Sequence, residues 1–261
     1  MLALAMGLSA CGRGKEDPRM DPVGSANSRV TVSPKALHNR VEILVDLLTS
    51  DLPANLAGRK SKLAFFTKIS PAVVEAMLEV EAERSIAFQY KDALHSGTVT
   101  TKLADEIADL FDRYKTKNIE TLIERVDVVP LDMLFSQSAI ESGWGTSSVA
   151  QDCHNIFGVH AATASQKCPG HPILAYYPDF TGSIKRYVLL LNTGSAYQSF
   201  RRNRASIRDA VGPYGVLDSN VLVEGLLSYS ERGVAYVRQV AAGIQQANLD
   251  EVYREFIQKI W

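Results

Sequence analysis

The chain of 261 residues has little net charge, with 28 lysines and arginines against 29 aspartates and glutamates. Such a balance provides no general field that would attract nucleic acid or an anionic lipid surface. Beyond its first residues the sequence has no run approaching the roughly 18 consecutive apolar residues of a membrane-spanning helix. It also lacks a phosphate-binding loop and a dinucleotide fingerprint. We therefore expect no nucleic-acid partner, no later membrane span and no cofactor.

Cysteine is scarce as well: only three are present, and the first, Cys11, follows ten uncharged residues that end in Leu-Ser-Ala. This arrangement resembles the lipobox of a bacterial lipoprotein, in which the preceding peptide is removed and the cysteine is lipidated. A buried helix is the alternative, but about ten residues are too few to span a bilayer. We therefore expect a periplasmic chain anchored by lipid at Cys11. Gly12, rather than an aspartate, follows it and favours the outer membrane.

The segment after Cys11 is rich in glycine, proline, serine and charge, and such a composition cannot bury apolar surface. About twenty residues of this kind span roughly 25 Å as a coil. The remainder of the chain is long enough for one well-buried domain or two small ones. We predict four parts: a signal peptide over 1–11, a flexible tether over 12–34, a helical region over 35–125, and a further domain over 126–261.

Cys153 and Cys168 remain as an even pair in an exported chain, and such a pair predicts a disulfide. Closing a loop of about 15 residues contributes roughly 3 kcal/mol in the chain-entropy model. Zinc is the alternative, because His154, His160 and His171 lie nearby in the sequence. The spacing matches no common zinc pattern, in which closely spaced ligands occur in pairs. We therefore predict a disulfide and no metal.

Apolar residues recur at helical spacing over most of the chain. The stretches 37–48, 103–114 and 249–260 have the periodicity of helices that bury one face. Helix breaks are expected at 51–53 and at 95–97. These features describe a core and say nothing about chemistry.

Two shorter signals concern the middle of the helical region. Thr100 or Thr101 is expected to cap the helix that follows the second break. The stretch 73–84 mixes acidic and apolar residues. We interpret it as a helix whose charged face is solvated, the alternative being a face that binds a partner.

The segment 156–180 departs from the helical rhythm. It contains three prolines and two glycines, and the short run ILAYY at 173–177 has strand-like character. We expect a loop with a small β-hairpin, the only β structure in the chain.

Glu141 follows an apolar run and precedes Gly-Trp-Gly in the stretch AIESGWGTS. Pro130 suits the first turn of a helix, and at about 100° per residue Glu141 falls about 20° from Leu134, on the flank of the buried face. Gly143 and Gly145 indicate that this helix ends just after the glutamate. Partial desolvation and the helix C-terminus both favour a protonated carboxyl. A raised pKa is what a general acid requires, although an exposed glutamate at a helix end fits the spacing too.

Aromatic residues accompany this glutamate. Trp144, between its two glycines, offers a flat apolar face to a sugar ring, and Tyr229 and Tyr236 occur later in YSERGVAY. Aromatic faces beside one poised acid indicate a carbohydrate cleft. Taken separately, each tyrosine could equally belong to the core or to the rim of the cleft.

The stretch AIESGWGTS, followed by NIFG at 155–158 and then by the two tyrosines in order, resembles the glucosaminidase family of peptidoglycan hydrolases, glycoside hydrolase family 73. Within it, RKSKLAFF at 59–66 and ERVDVVP at 124–130 are similar to the upstream region of the Bax-like subgroup. The resemblance covers roughly residues 59–257.

This resemblance implies a mostly α fold, in which a lysozyme-like glucosaminidase domain over 126–261 carries a small β-hairpin lobe and 35–125 forms an N-terminal helical extension. It also implies an activity, the cleavage of the β-1,4 bond after N-acetylglucosamine in the glycan strands of peptidoglycan. Those strands would be the substrate and main partner of the chain.

Roles follow from the motifs of the family. Glu141 would be the general acid that protonates the leaving glycosidic oxygen, and Tyr229 would orient the sugar or a water. Tyr236 would contact the sugar, although its spacing from Tyr229 is one residue longer than the family's usual spacing. Three further residues would shape the cleft: Trp144, Asn155 and Phe157. Asn155 and Phe157 could equally be structural and tie their loop to the catalytic helix.

The chain departs from the usual pair of catalytic acids. Between Ser142 and Val223 it has no glutamate, and the carboxylates there are Asp152, Asp179, Asp209 and Asp218. Asp179 is the candidate second acid, although its position also suits a turn or helix cap. Without a second acid, either the substrate's N-acetyl group stabilises the cation, or the bond breaks without water as in lytic transglycosylases. A chain that binds the wall without cutting it is the third alternative.

Overall fold

The computed structural model describes residues 30–261. The predicted signal peptide, the lipidation site Cys11 and most of the tether lie outside these residues. Among the residues that are described, no helix is both long and apolar enough to cross a membrane. The fold is mostly α, as predicted, with eleven α-helices between residues 30 and 261.

The helices follow one another closely along the chain, with three short 3₁₀ turns at 164–166, 195–197 and 223–226. In chain order they are α1 (Pro34–Asp51), α2 (Arg59–Ser96), α3 (Thr101–Arg113), α4 (Ile119–Arg125), α5 (Leu131–Ser142), α6 (Ser148–Cys153), α7 (Phe180–Thr193), α8 (Gln198–Val211), α9 (Ser219–Leu222), α10 (Val234–Gln246) and α11 (Leu249–Ile260).

The predicted helix boundaries are confirmed at both breaks. Helix α1 ends at Asp51, and α2 ends at Ser96, where Gly97 adopts the left-handed conformation with a φ of 68°. Thr100 caps α3, because its side chain accepts a hydrogen bond from the backbone N–H of Leu103 at 3.2 Å. Such a cap satisfies one of the donors left free at a helix start.

Helix α2 is the longest, with 38 residues, and contacts α1, α3, α4, α5 and α7. Its apolar residues are buried on several sides, among them Phe66, Ile69, Val73 and Met77. A helix that is apolar around most of its circumference lies inside a protein. Its side chains belong to the same hydrophobic core as those of α5, α7, α10 and α11.

The interpretation of 73–84 as a solvated charged face is wrong. Glu79 and Glu83 of α2 are 8% and 1% exposed. Arg113 pairs with both glutamates, and the hydroxyl of Tyr114 donates to Glu83 at 2.6 Å. Burial raises the pKa of Glu83 to about 7. The charged face is covered because α3 and α7 pack on α2, and Lys185 of α7 reaches Glu79 at 2.6 Å.

A second buried ionic cluster joins α2 and α8 to the segment before α5. Asp127 is 2% exposed and accepts two hydrogen bonds from Arg208, each of 3.0 Å. Arg84 and Arg204 lie 3.4 Å and 3.9 Å from its carboxylate. These arginines lower the pKa of Asp127 against the effect of burial. The cluster fixes the chain just ahead of α5.

The segment 156–180 contains the predicted antiparallel pairing in reduced form. The backbone of 173–176 bonds to 159–161 on one side and to 166–168 on the other. Only two isolated bridges form, His160 with Leu174 and Lys167 with Ala175, so the hairpin has no continuous strand. Pro169 and Pro172 lie in the short connection between residues 168 and 173.

Helix α5 lies at the centre of the part of the chain that carries the motif. Its residues from Leu131 to Ala139 are all buried, whereas Ile140 and Glu141 are only partly covered. Helices α2, α10 and α11 pack around it. The end of α5 is therefore the place where a side chain from a rigid core helix reaches the surface.

Candidate active site

Helix α5 ends directly after Glu141, as the two glycines indicated. Gly143 adopts the left-handed conformation with a φ of 57°, and its N–H donates to the carbonyl of Ala139. Trp144 also has a positive φ, of 61°, and its N–H donates to the same carbonyl at 2.8 Å. This turn leaves Glu141 in the last turn of a helix whose preceding residues are buried.

The pKa of Glu141 is raised to about 7. Burial of the carboxyl is the main cause, since removing water penalises the charged form. A hydrogen bond from Tyr236 and the positive charge of Arg232 act in the opposite direction. A carboxyl with this pKa is about half protonated at neutral pH, and can therefore donate a proton and hold the resulting charge.

Tyr236 of α10 is the polar side chain that contacts Glu141. Its hydroxyl lowers the pKa of the glutamate as a hydrogen-bond donor, and it accepts a hydrogen bond from Nε2 of Gln137 at 2.9 Å. The hydroxyl of Tyr187 from α7 donates to Oε1 of Gln137. Sequence reasoning missed Gln137, Tyr187 and Arg232. The available signal for Gln137 was its position four residues before Glu141, which puts both on one face of a helix.

Tyr229 and Phe157 pack against the rings of Tyr236 and Tyr187. The hydroxyl of Tyr229 donates to the carbonyl of Phe157 at 2.7 Å, and its ring stacks on Tyr236 with centroids 5.5 Å apart. The Phe157 ring stacks on Tyr187 at 4.0 Å. Tyr229 and Phe157 are both buried, at 2% and 1% exposure, and the donor hydrogen of Tyr229 is already used. Their contacts connect the 155–158 loop to the tyrosines beside Glu141.

Asn155 holds the same loop together through its side chain. Its Nδ2 donates to the carbonyls of Val159 and Ala175 at 2.8 Å and 3.0 Å, and its Oδ1 accepts from the N–H of Val159 at 3.0 Å. The residue is 2% exposed. In this position the amide ties the loop to the paired segment at 173–176, and its polar atoms are occupied by the backbone.

Trp144 connects the end of α5 to α2. It is partly buried against the rings of Phe65 and Phe66, with centroid distances of 6.1 Å and 5.4 Å. Nζ of Lys62 lies 4.7 Å from the centroid of the indole. Gly145 makes the close approach possible: a Cβ there would lie 2.9 Å from the Phe65 ring, and its φ is 74°.

Asp179, the candidate second acid, caps α7. Its Oδ1 accepts a hydrogen bond from the N–H of Gly182 at 2.9 Å, and the residue is exposed. It is not among the groups that shift the pKa of Glu141. Asp152 and Asp209 are exposed as well.

The two remaining cysteines are joined. Cys153, the last residue of α6, and Cys168 form a disulfide with their Cα atoms 5.6 Å apart. Within residues 30–261 no group of three or more histidine, cysteine, aspartate or glutamate side chains is arranged to hold a metal ion. Nδ1 of His154 is hydrogen-bonded to the carbonyl of Tyr177 at 2.9 Å instead.

A mostly helical chain with a partly buried carboxyl at the end of a central helix, beside tyrosines, fits a lysozyme-like glycoside hydrolase. The family model described as "Glucosaminidase: Mannosyl-glycoprotein endo-beta-N-acetylglucosaminidase" matches residues 116–260, more than half of the chain. The chain therefore belongs to the glucosaminidase family of glycoside hydrolases, whose general substrate is peptidoglycan.

Among characterised proteins, the chain is similar to "Protein bax" of Escherichia coli (strain K12). The two are 32% identical over 200 residues, which cover 71% of this chain and 69% of that protein. This similarity confirms the family and the Bax-like resemblance predicted from the motifs. No solved structure matches the chain significantly.

Proposed function

We propose that the chain hydrolyses the β-1,4 bond after N-acetylglucosamine in peptidoglycan glycan strands, with Glu141 as the general acid. Membership of the glucosaminidase family supports a peptidoglycan glycosidase in general. The observation that carries the finer assignment is the raised pKa of Glu141, about 7, at the end of a buried helix. A proton donor with this pKa is matched to neutral conditions.

In the proposed reaction, the protonated carboxyl of Glu141 donates its proton to the glycosidic oxygen as the bond to the sugar's anomeric carbon breaks. The glutamate then carries a negative charge. The hydrogen bond from Tyr236 and the charge of Arg232 both stabilise that charged form. Burial keeps the acid protonated before the reaction, and the two contacts hold the carboxylate after it.

The group that stabilises the sugar cation is a separate part of the proposal. Asp179 was the candidate second acid, but it is exposed and caps α7. Apart from burial, the groups that shift the pKa of Glu141 are Tyr236 and Arg232, and neither is a carboxylate. This observation favours assistance by the substrate's own N-acetyl group. It equally supports the second candidate function, lytic transglycosylase-like cleavage, in which the same glutamate acts alone.

Digestion of purified peptidoglycan tests the assignment and separates these candidates. The described region, residues 30–261, would be incubated with glycan strands and the fragments identified by mass. Reducing-end N-acetylglucosamine is the expected product, whereas anhydro-sugar ends would move the assignment to a transglycosylase. Glu141→Gln should give no product. Glu224→Gln, at an exposed glutamate, is the matched control and should cleave as the wild type does. Binding without any product from the wild type would leave a wall-binding scaffold.

We also propose that the chain acts in the periplasm, anchored by lipid at Cys11. The Leu-Ser-Ala-Cys sequence and the tether-like composition after it support this placement. Metabolic labelling of the full chain with a clickable fatty acid is the test. Label should enter the wild type and be absent from Cys11→Ala, and equal labelling of both would contradict the anchor.

A further inference from the structure

Side chains from α7, α5 and α10 form a series of polar contacts that ends at Glu141. Tyr187 of α7 donates from its hydroxyl to Oε1 of Gln137, and Nε2 of Gln137 donates to the hydroxyl oxygen of Tyr236 at 2.9 Å. The Tyr236 hydroxyl in turn acts on Glu141 as a hydrogen-bond donor that lowers the pKa of its carboxyl. Gln137 is fully buried, and Tyr187 and Tyr236 are 0% and 2% exposed.

The direction of this series follows from the number of hydrogens available. A tyrosine hydroxyl has one hydrogen, whereas a glutamine amide offers an accepting oxygen on one side and a donating NH₂ on the other. Because Gln137 donates to the oxygen of Tyr236, the single hydrogen of Tyr236 remains available for Glu141. An ionised carboxylate can only accept, so the arrangement is complete in this direction.

A flipped Gln137 amide would reverse the direction in which these hydrogen bonds are donated. The amide oxygen would then face Tyr236 and draw its hydrogen away from Glu141, and the NH₂ would face Tyr187. The Tyr187 hydroxyl donates to the Gln137 oxygen, and its ring is held by Phe157 and Tyr229. A flip would break this hydrogen bond, so the contact with Tyr187 favours the observed orientation of the amide.

The other groups that face Glu141 do not replace the contacts made through Tyr187, Gln137 and Tyr236. The phenols of Tyr187, Tyr229 and Tyr236 come from α7, the loop before α10, and α10, and burial raises the pKa of each well above its usual value. They stay neutral donors when the glutamate titrates. Arg232, ahead of α10, is exposed and donates to Gln239 at 2.7 Å.

From this geometry we propose that Gln137 and Tyr187 are positioning residues, which aim the hydroxyl of Tyr236 at Glu141. Both act through Tyr236, and neither contacts Glu141 directly through a hydrogen bond of its own. The proposal rests on the proposed role of Glu141 as the general acid, and adds the residues that set its protonation from outside the cleft.

Tyr187→Phe is the most informative variant. It removes the donor to the Gln137 oxygen, so the amide oxygen becomes free to take the hydrogen of Tyr236. Glu141 then loses the hydrogen bond that stabilises its charged form, and its pKa rises. The limb of kcat/KM that requires protonated Glu141 moves to higher pH with it. A merely structural role for Tyr187 would lower activity evenly at every pH.

The test is a ¹³C NMR titration of the Glu141 carboxyl in the protein labelled at glutamate. We expect the midpoint to rise in Tyr187→Phe and in Tyr236→Phe, by about half a pH unit or more, roughly a threefold change in the protonation equilibrium. Gln137→Met removes the N–H that orients and polarises the Tyr236 hydroxyl but leaves no oxygen to take its hydrogen. We therefore expect a rise smaller than in Tyr187→Phe, and this variant serves if Tyr187→Phe does not fold.

Tyr114→Phe is the matched control. Its hydroxyl also donates to a buried glutamate whose pKa is about 7, Glu83. The Glu141 midpoint should stay unchanged in this variant. A Glu141 midpoint that does not move in Tyr187→Phe and in Gln137→Met would overturn the positioning role.

Turnover by Glu141→Gln distinguishes a failure of the positioning role from a failure of the general-acid assignment. If Glu141→Gln is inactive while the midpoint ignores Gln137 and Tyr187, only the positioning role fails. If Glu141→Gln turns over glycan strands as the wild type does, the general-acid assignment fails and the positioning role fails with it.

Discussion

The hydroxyl of Tyr236 lowers the pKa of the Glu141 carboxyl as a hydrogen-bond donor, while burial raises it, and the result is a pKa of about 7. The two residues come from α10 and α5, 95 positions apart in the sequence. The balance between burial, which raises the pKa, and Tyr236, which lowers it, decides what fraction of Glu141 is protonated. An acid held near neutrality can be restored after each turnover without a large energetic cost.

The rate of glycan cleavage should depend on pH through Glu141. Activity requires the protonated carboxyl, so kcat/KM should fall above a pH of about 7, by about tenfold for each further pH unit. The measurement is kcat/KM against pH on soluble glycan fragments. A profile that stays level well above neutrality would show that Glu141 is not the acid.

Removing the charge of Arg232 should move the fall of kcat/KM to higher pH. The guanidinium lowers the pKa of Glu141, so Arg232→Gln should raise it, by a few tenths of a pH unit at low salt and less at about 0.15 M because the residue is exposed. Arg238→Gln, at an exposed arginine on α10, is the control. A downward shift in Arg232→Gln would contradict the assigned electrostatics.

The disulfide should stabilise the segment that carries the antiparallel bridges. Replacing Cys153 and Cys168 together by serine removes a cross-link over a sequence separation of 15. The free energy of unfolding should fall by about 3 kcal/mol, as measured by denaturant titration. The serine variant should be indifferent to reductant, whereas the wild type should lose about the same stability when reduced. Equal stability of all forms would contradict this prediction.

Asp127 should contribute strongly to stability because its carboxylate neutralises buried arginines. Asp127→Asn leaves Arg204 and Arg208 without their counter-ion, and we expect a loss of about 3 kcal/mol at neutral pH. Asp46→Asn, at an exposed position on α1, should cost little.

The contribution of Asp127 should also depend on pH. Its folded pKa is lowered, so the stabilisation is complete above the unfolded value of about 3.9 and is lost as the pH falls through the folded value. The loss of stability between neutral and strongly acidic pH should therefore be smaller in Asp127→Asn. An identical loss in both proteins would contradict the cluster's role.

Local features of the site were predictable from the sequence, because they depend on neighbouring residues. The end of α5 after Glu141 follows from Gly143, and the cap of α3 follows from Thr100. The family followed from two ordered motifs, and the comparisons confirm it.

The contacts between distant helices were not predictable. Gln137 meets Tyr187 and Tyr236 across separations of 50 and 99 residues, and no periodicity marks such partners. The same holds for the buried glutamates of α2, which look solvated until α3 and α7 supply Arg113 and Lys185. The strand-like run at 173–177 forms only isolated bridges, with His160 and Lys167 as partners.

The central claim, that Glu141 is the proton donor, is tested most directly by measuring turnover and binding of the same glycan strands by the wild type and by Glu141→Gln. The amide preserves the shape of the side chain and its contact with Tyr236 but has no proton to donate at neutral pH. We predict that binding is retained and that turnover is lost by at least about a hundredfold. Turnover at the wild-type rate by Glu141→Gln would contradict the account.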